Sequence, residues 1–178
     1  MDEVRDDMGD MGDMGAGTGG DDLDIPAARD WSPERQRALR LWISLARCYA
    51  TYARAVAGKV QEYGLTTPQF GILEALYHLG PLSLGELAEK LLVTGGNITY
   101  VMDRLEEQGL VYRDRSPSDR RIIQAKLTEK GRDLIAGVFP EHGEFIERLS
   151  AHLAGGEQEE LRALLKKLGT AVRDNDLK

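Results

Sequence analysis

A chain of 178 residues, 42% hydrophobic and 30% charged, has room for one domain with a full core, or for a small domain carrying an extra helical layer. No apolar run approaches the roughly 18 residues of a membrane span, and the acidic N-terminus lacks the basic-then-apolar order of a secretory signal, so the expected location is cytoplasmic, with no membrane partner. One cysteine, Cys48, excludes an internal disulfide, and His78, His142 and His152 share no helical spacing; neither a metal nor another cofactor is expected.

The formal net charge of −7 is unevenly spread. Residues 1–30, with MGDMGDMGAGTGG at their centre, hold ten acids against Arg5 and Arg29. They carry no period that buries a face and read as a disordered acidic tail. The rest of the chain is close to neutral, yet between residues 111 and 132 seven bases face three acids. Charge is segregated, and the basic part needs a reason.

Order is expected from WSPERQ, where Ser32 caps a helix and Pro33 takes its first position. Trp42, Leu45, Tyr49, Tyr52, Val56, Val60 and Tyr63 then recur at three and four, which predicts one long amphipathic helix ending before Gly64. A second helix begins at Thr67-Pro68, carries Phe70, Leu73 and Tyr77, and stops at Gly80-Pro81. SLGE, residues 83–86, matches a capping box and opens a short helix to about Leu92; Thr94 caps another, from about Gly95 to Gln108, stopped by Gly109. Two short helices joined by so few residues make a helix-turn-helix. LVYRD reads as a strand, SPSD as a turn and RIIQAKL as a second strand, with Ile123, Ala125 and Leu127 on one side. Thr128 caps a long helix through Leu153, expected to bend at Pro140; after AGG, residues 154–156, a last helix from Glu157 to about Val172 carries a leucine stripe.

In GGNITYVMDRLEEQ the spacing turns Ile98, Val101, Met102 and Leu105 inward and leaves small and polar groups outside. A helix entering a DNA major groove needs that arrangement, because base edges accept neither bulk nor unpaired acids. Asn97 can pair with adenine, Tyr100 can reach a phosphate or a thymine methyl, and Arg104, later in the helix, suits a backbone contact. Ser83, Thr94, Gly96 and Thr99 complete the candidate contacts on the helix pair. A two-stranded ribbon beside such a helix lays its tip along the adjoining minor groove, which attracts arginine. Arg120 and Arg121 follow the turn, Arg113 and Arg115 stand on the incoming strand, and Asp119 is placed to pair with an arginine and fix its direction.

The run from GLTTPQF through LSLGELAEKLLVTGGNITYVMDRLEEQGLVYRDRSPSDRRIIQAKLTEKG resembles the MarR family of winged helix-turn-helix transcription regulators. EEQGLVYR and DRRIIQAKLT, with Thr128 seven residues after Arg121, carry the resemblance most specifically, and it spans about residues 35–174. It implies a mainly α fold, a winged helix-turn-helix whose N- and C-terminal helices form a dimerisation layer. Residues 31–64 and 128–174 would make that helical dimerisation region and residues 65–127 the DNA-binding domain. The resemblance also implies recognition by residues 94–104 and Arg121 as the wing-tip arginine, braced by Asp119. Dimerisation has a second warrant in apolar faces too wide for one small winged domain to cover. A two-fold dimer predicts a roughly palindromic duplex operator, bound in repression.

Family members often answer to phenolic compounds or oxidants. Trp42, Tyr49, Tyr52, Phe70, Leu73 and Tyr77 are the candidate lining for a small aromatic or phenolic effector, with Arg47 or His78 as polar anchors. Cys48 reads as a buried structural thiol, and a single-cysteine redox sensor is the alternative. No phosphate-cradling glycine loop, nucleophile elbow or HExxH supports an enzyme. A winged-helix module that binds protein is the other competing reading.

Overall fold

A computed structural model of the chain describes residues 31–91, 94–115 and 123–174. In order, the elements are α1 (Pro33–Glu62), α2 (Thr67–Leu79), β1 (Leu82–Ser83), α3 (Leu84–Leu91), α4 (Gly95–Glu107), β2 (Val111–Arg115), β3 (Ile123–Leu127), α5 (Glu129–Ser150) and α6 (Gly155–Asp174). Two compact units divide inside α1, between Ala46 and Arg47. The acidic tail lies outside the described residues. Among the described residues no helix is long and apolar enough to cross a membrane.

The helix starts follow the capping chemistry of the sequence. The Arg35 amide donates to Ser32 Oγ at 3.3 Å and the Asn97 amide to Thr94 Oγ1 at 3.4 Å. At SLGE the Ser83 amide donates to Glu86 Oε2 at 2.7 Å while the Glu86 amide donates to Ser83 Oγ at 3.2 Å. Those bonds hold the Glu86 carboxyl below its usual range. A second capping box, beyond those the sequence predicts, joins Thr66 with Gln69 ahead of α2. Gly64, Gly80 and Gly109 end helices with positive φ, a conformation that costs other residues about 1 kcal/mol or more.

The core of the larger unit is built where α2, α3, α4 and α5 converge. Leu73, Leu87, Met102, Leu105 and Ile135 are fully buried there. Its sheet has three strands in the order β1-β3-β2, all antiparallel, with Leu82 opposite Ala125 and Arg113 opposite Ala125 from the other side. The sequence predicts only the hairpin; β1 adds a third strand at its edge. Buried Val111, Ala125 and half-buried Leu127 press the root of the hairpin onto the core.

Three other features depart from expectation. The helix α5 runs unbroken through Pro140 and stops at Ser150, short of Leu153. The glycines of AGG lie inside the first turn of α6, where the Ala154 amide donates to Glu157 Oε2 at 2.7 Å. Cys48 is exposed, not buried, because its face of α1 is uncovered in the single chain.

Candidate nucleic-acid interface

The helix α4 sorts its residues as the spacing requires. Ile98, Val101, Met102 and Leu105 are buried, and Thr94, Gly96, Asn97, Thr99, Tyr100 and Arg104 are exposed. Several of the exposed groups are already engaged. The Thr99 hydroxyl donates back to the Gly95 carbonyl at 3.1 Å, leaving its lone pairs outward. Arg104 donates to Glu107 Oε2 at 2.8 Å and stacks over the Tyr100 ring at 5.5 Å. The Tyr100 hydroxyl and Glu107 hold its charge more firmly still. Ser83, half-buried in β1, spends its hydroxyl oxygen as the α3 cap.

On the wing, Arg115 is exposed at the outer end of β2, paired in register with Ile123. Asp119, Arg120 and Arg121 lie outside the described residues. Arg113 is placed differently from its expected role. Its side chain is only 23% exposed and turns inward, onto Asp103 at 2.7 Å and onto Glu106. Lys126 is likewise paired with Asp114 across the hairpin at 2.7 Å, which lowers the Asp114 carboxyl and raises the lysine. The basic excess of the 111–132 window is therefore smaller in three dimensions, because α4 brings Asp103 and Glu106 against it. The sequence signal for these partners is a pair of acids one turn apart on α4, followed by a strand that begins two residues beyond Gly109.

The root of the wing is fastened to both flanking helices. The Thr128 hydroxyl donates to the Gly109 carbonyl at 2.7 Å, and the Gly131 amide donates to Thr128 Oγ1 at 3.0 Å. The Thr128 amide donates to the Leu110 carbonyl at 3.0 Å, and Lys130 Nζ reaches the Gln108 carbonyl at 2.8 Å. The polar run that follows the second strand is thus the fastening between α4, hairpin and α5.

The expected effector residues differ in exposure. Tyr49 is 73% exposed and Trp42 63% exposed on α1. Tyr52 is part-buried and shares a 3.1 Å hydrogen bond with Ser150. Phe70 and Leu73 are core residues; Tyr77 packs against Phe139 and His78. Next to Phe70, at 4.5 Å between ring centres, sits His142, buried at 7% exposure. Its Nδ1 and the hydroxyl of neighbouring Tyr63 have no hydrogen-bond partner among the described residues. No group of His, Cys, Asp or Glu among those residues is placed to hold a metal.

An antiparallel ribbon springing from the end of a helix-turn-helix is the architecture of a winged-helix regulator, and solved structures of that class match it. A mutant MarR from E. coli complexed with operator DNA covers 77% of this chain and 99% of its own, at 25% identity and a TM-score of 0.68. AbsC, a MarR family transcriptional regulator from Streptomyces coelicolor, covers 81% and 97% at 26% identity and the same TM-score. In sequence, the profile of the MarR family matches residues 65–123. The HTH-type transcriptional regulator MhqR of Bacillus subtilis is 37% identical over 75% of this chain and 92% of its own length. The chain belongs to the MarR family; it is a DNA-binding transcription regulator and not an enzyme.

Proposed function

We propose that the protein is a cytoplasmic homodimeric repressor that reads a palindromic operator, with α4 of each subunit in a major groove and the wing in the neighbouring minor groove. The observation that carries this reading is α4 itself, with four apolar residues buried beneath Thr94, Gly96, Asn97, Thr99 and Tyr100 at its exposed N-terminal half. Small and hydrogen-bonding groups at that end suit base edges, and Arg104 in the later turns suits a phosphate. Arg115, with Arg120 and Arg121 beyond it and Asp119 as brace, supplies the minor-groove contact. Support for the dimer comes from α6. None of its twenty residues is buried, and Leu161, Leu164, Leu165, Leu168 and Val172 stand exposed along it, a stripe that water does not tolerate unpartnered.

A labelled duplex from the region upstream of the chain's own gene tests the reading. Binding should fall steeply with salt as counterions are released. Asn97→Ala should relax base preference, and Arg121→Ala should weaken binding while preserving it. Absence of any salt-sensitive binding to that duplex would contradict the proposal.

Response to a small aromatic or phenolic effector belongs to the same reading. Its support is the aromatic layer of Tyr63, Phe70 and His142, in which two buried polar atoms lack partners among the described residues. Leu73 and Tyr77 share α2 with Phe70, and Tyr52 meets α5, the helix of His142, at Ser150. A hydroxybenzoate that raises the thermal midpoint and releases the duplex would support this part.

A further inference from the structure

Among the described residues Arg113 donates four hydrogen bonds to α4. Nη2 donates to Asp103 Oδ1 at 2.7 Å and to the Thr99 carbonyl at 3.3 Å, and Nη1 donates to Glu106 Oε2. The backbone amide of the same residue donates to the other Glu106 oxygen at 2.7 Å. Residues 99, 103 and 106 are spaced by four and three, so they form one stripe along the helix. Glu106 thus grips the main chain and the side chain of one strand residue at once. Between the two arms of this clamp lies Gly109, at φ +68 with open space where a Cβ would stand. A glycine turn leaves the angle between its arms soft. The guanidinium fork, rigid and planar, is the group suited to stiffening it.

We propose that Arg113 is a positioning residue, not a DNA contact: with Glu106 and Asp103 it sets the angle at which the wing leaves the recognition helix. The proposal rests on the docking described above, in which helix and wing must reach two grooves of one duplex together. Were Arg113 instead a phosphate contact, its removal would cost one released counterion, and nearby acids would only oppose binding. The clamp gives the opposite sign for the acids, since losing Glu106 frees the same joint as losing Arg113.

Fluorescence anisotropy on the upstream duplex, over a series of salt concentrations, separates the two. The variants are Arg113→Ala, Arg113→Lys, Glu106→Gln and the double variant Arg113→Ala with Glu106→Gln, each checked for an unchanged thermal midpoint. Arg113→Ala and Glu106→Gln should each weaken binding by about tenfold, the size of coupling typical of one hydrogen-bonded network. The double variant should be no worse than either single one. Arg113→Lys, which keeps the charge but loses the fork, should be nearly as weak as the alanine, and the slope of log K against log salt should not change. A slope reduced by about 0.9, the value for one phosphate contact, overturns the proposal, as does Glu106→Gln binding as tightly as wild type or more so. Loss of affinity confined to variants with a lowered midpoint also overturns it, in favour of a general stabilising role; Glu106→Gln, being isosteric, makes that outcome readable. Failure of the wild type to bind the duplex strikes the docking itself and the proposal with it.

Discussion

At Gly131 no other residue fits: a Cβ there would stand 1.9 Å from the Leu110 carbonyl oxygen. Gly137, on the same helix, has open space around the equivalent position. The two glycines should therefore respond to alanine with opposite signs. Gly137→Ala removes backbone freedom from the unfolded chain and should stabilise by about 0.5–1 kcal/mol. Gly131→Ala must displace backbone at the root of the wing and should cost on the order of 2–4 kcal/mol, both read by urea unfolding. His142 adds a pH dependence. Burial holds its pKa below the usual 6.5, with Lys59 acting in the same direction and Glu74 against it. As pH falls below about 6.5 the unfolded chain takes up this proton before the folded one, so folded stability is full above that value and declines beneath it. The thermal midpoint of His142→Phe should fall less than that of wild type over that acid range; equal slopes would refute the assignment. Neither residue's importance was legible in the sequence, because a close approach and a missing hydrogen-bond partner are properties of packing. Thr128 was legible as a cap but not as the bond that closes the wing.

Elements declared themselves in proportion to their periodicity. The buried seam of α4 was readable residue by residue, since Ile98, Val101, Met102 and Leu105 repeat at three and four and Thr94 marks the start. The two-residue β1 has no period to read; it exists because Leu82 and Ser83 meet Ala125 and Gln124, far along the chain. The basic window around Arg113 is legible in the sequence, but not Asp103 and Glu106, which the fold brings alongside it. The helix α6 was visible as a leucine stripe, and the stripe is left open in the single chain. A twenty-residue helix without packing is marginal in water, so in the proposed dimer its stability depends on the partner. Leu164→Glu with Leu168→Glu should convert the dimer to monomer in sedimentation velocity and lower the melting temperature. A variant that stays dimeric would place the subunit contact elsewhere.

Over the whole molecule, charge is divided between an acidic leader, a nearly neutral body and a wing in which Arg113 and Lys126 are internally paired. The salt dependence of DNA binding should accordingly come from fewer bases than the seven counted in the window. In the proposed dimer both reading helices must meet successive major grooves on one side of a duplex, about 10 base pairs apart. Inserting five base pairs between operator halves turns one half away and should reduce affinity to that for unrelated DNA; unchanged binding would mean that one subunit reads alone. The fastening of Thr128 and Gly131 against Gly109 and Leu110 bears on how such a molecule moves. A ribbon seized at its root is a lever with a fixed fulcrum: amide exchange should quicken from Val111 and Leu127 toward Arg115 and Ile123.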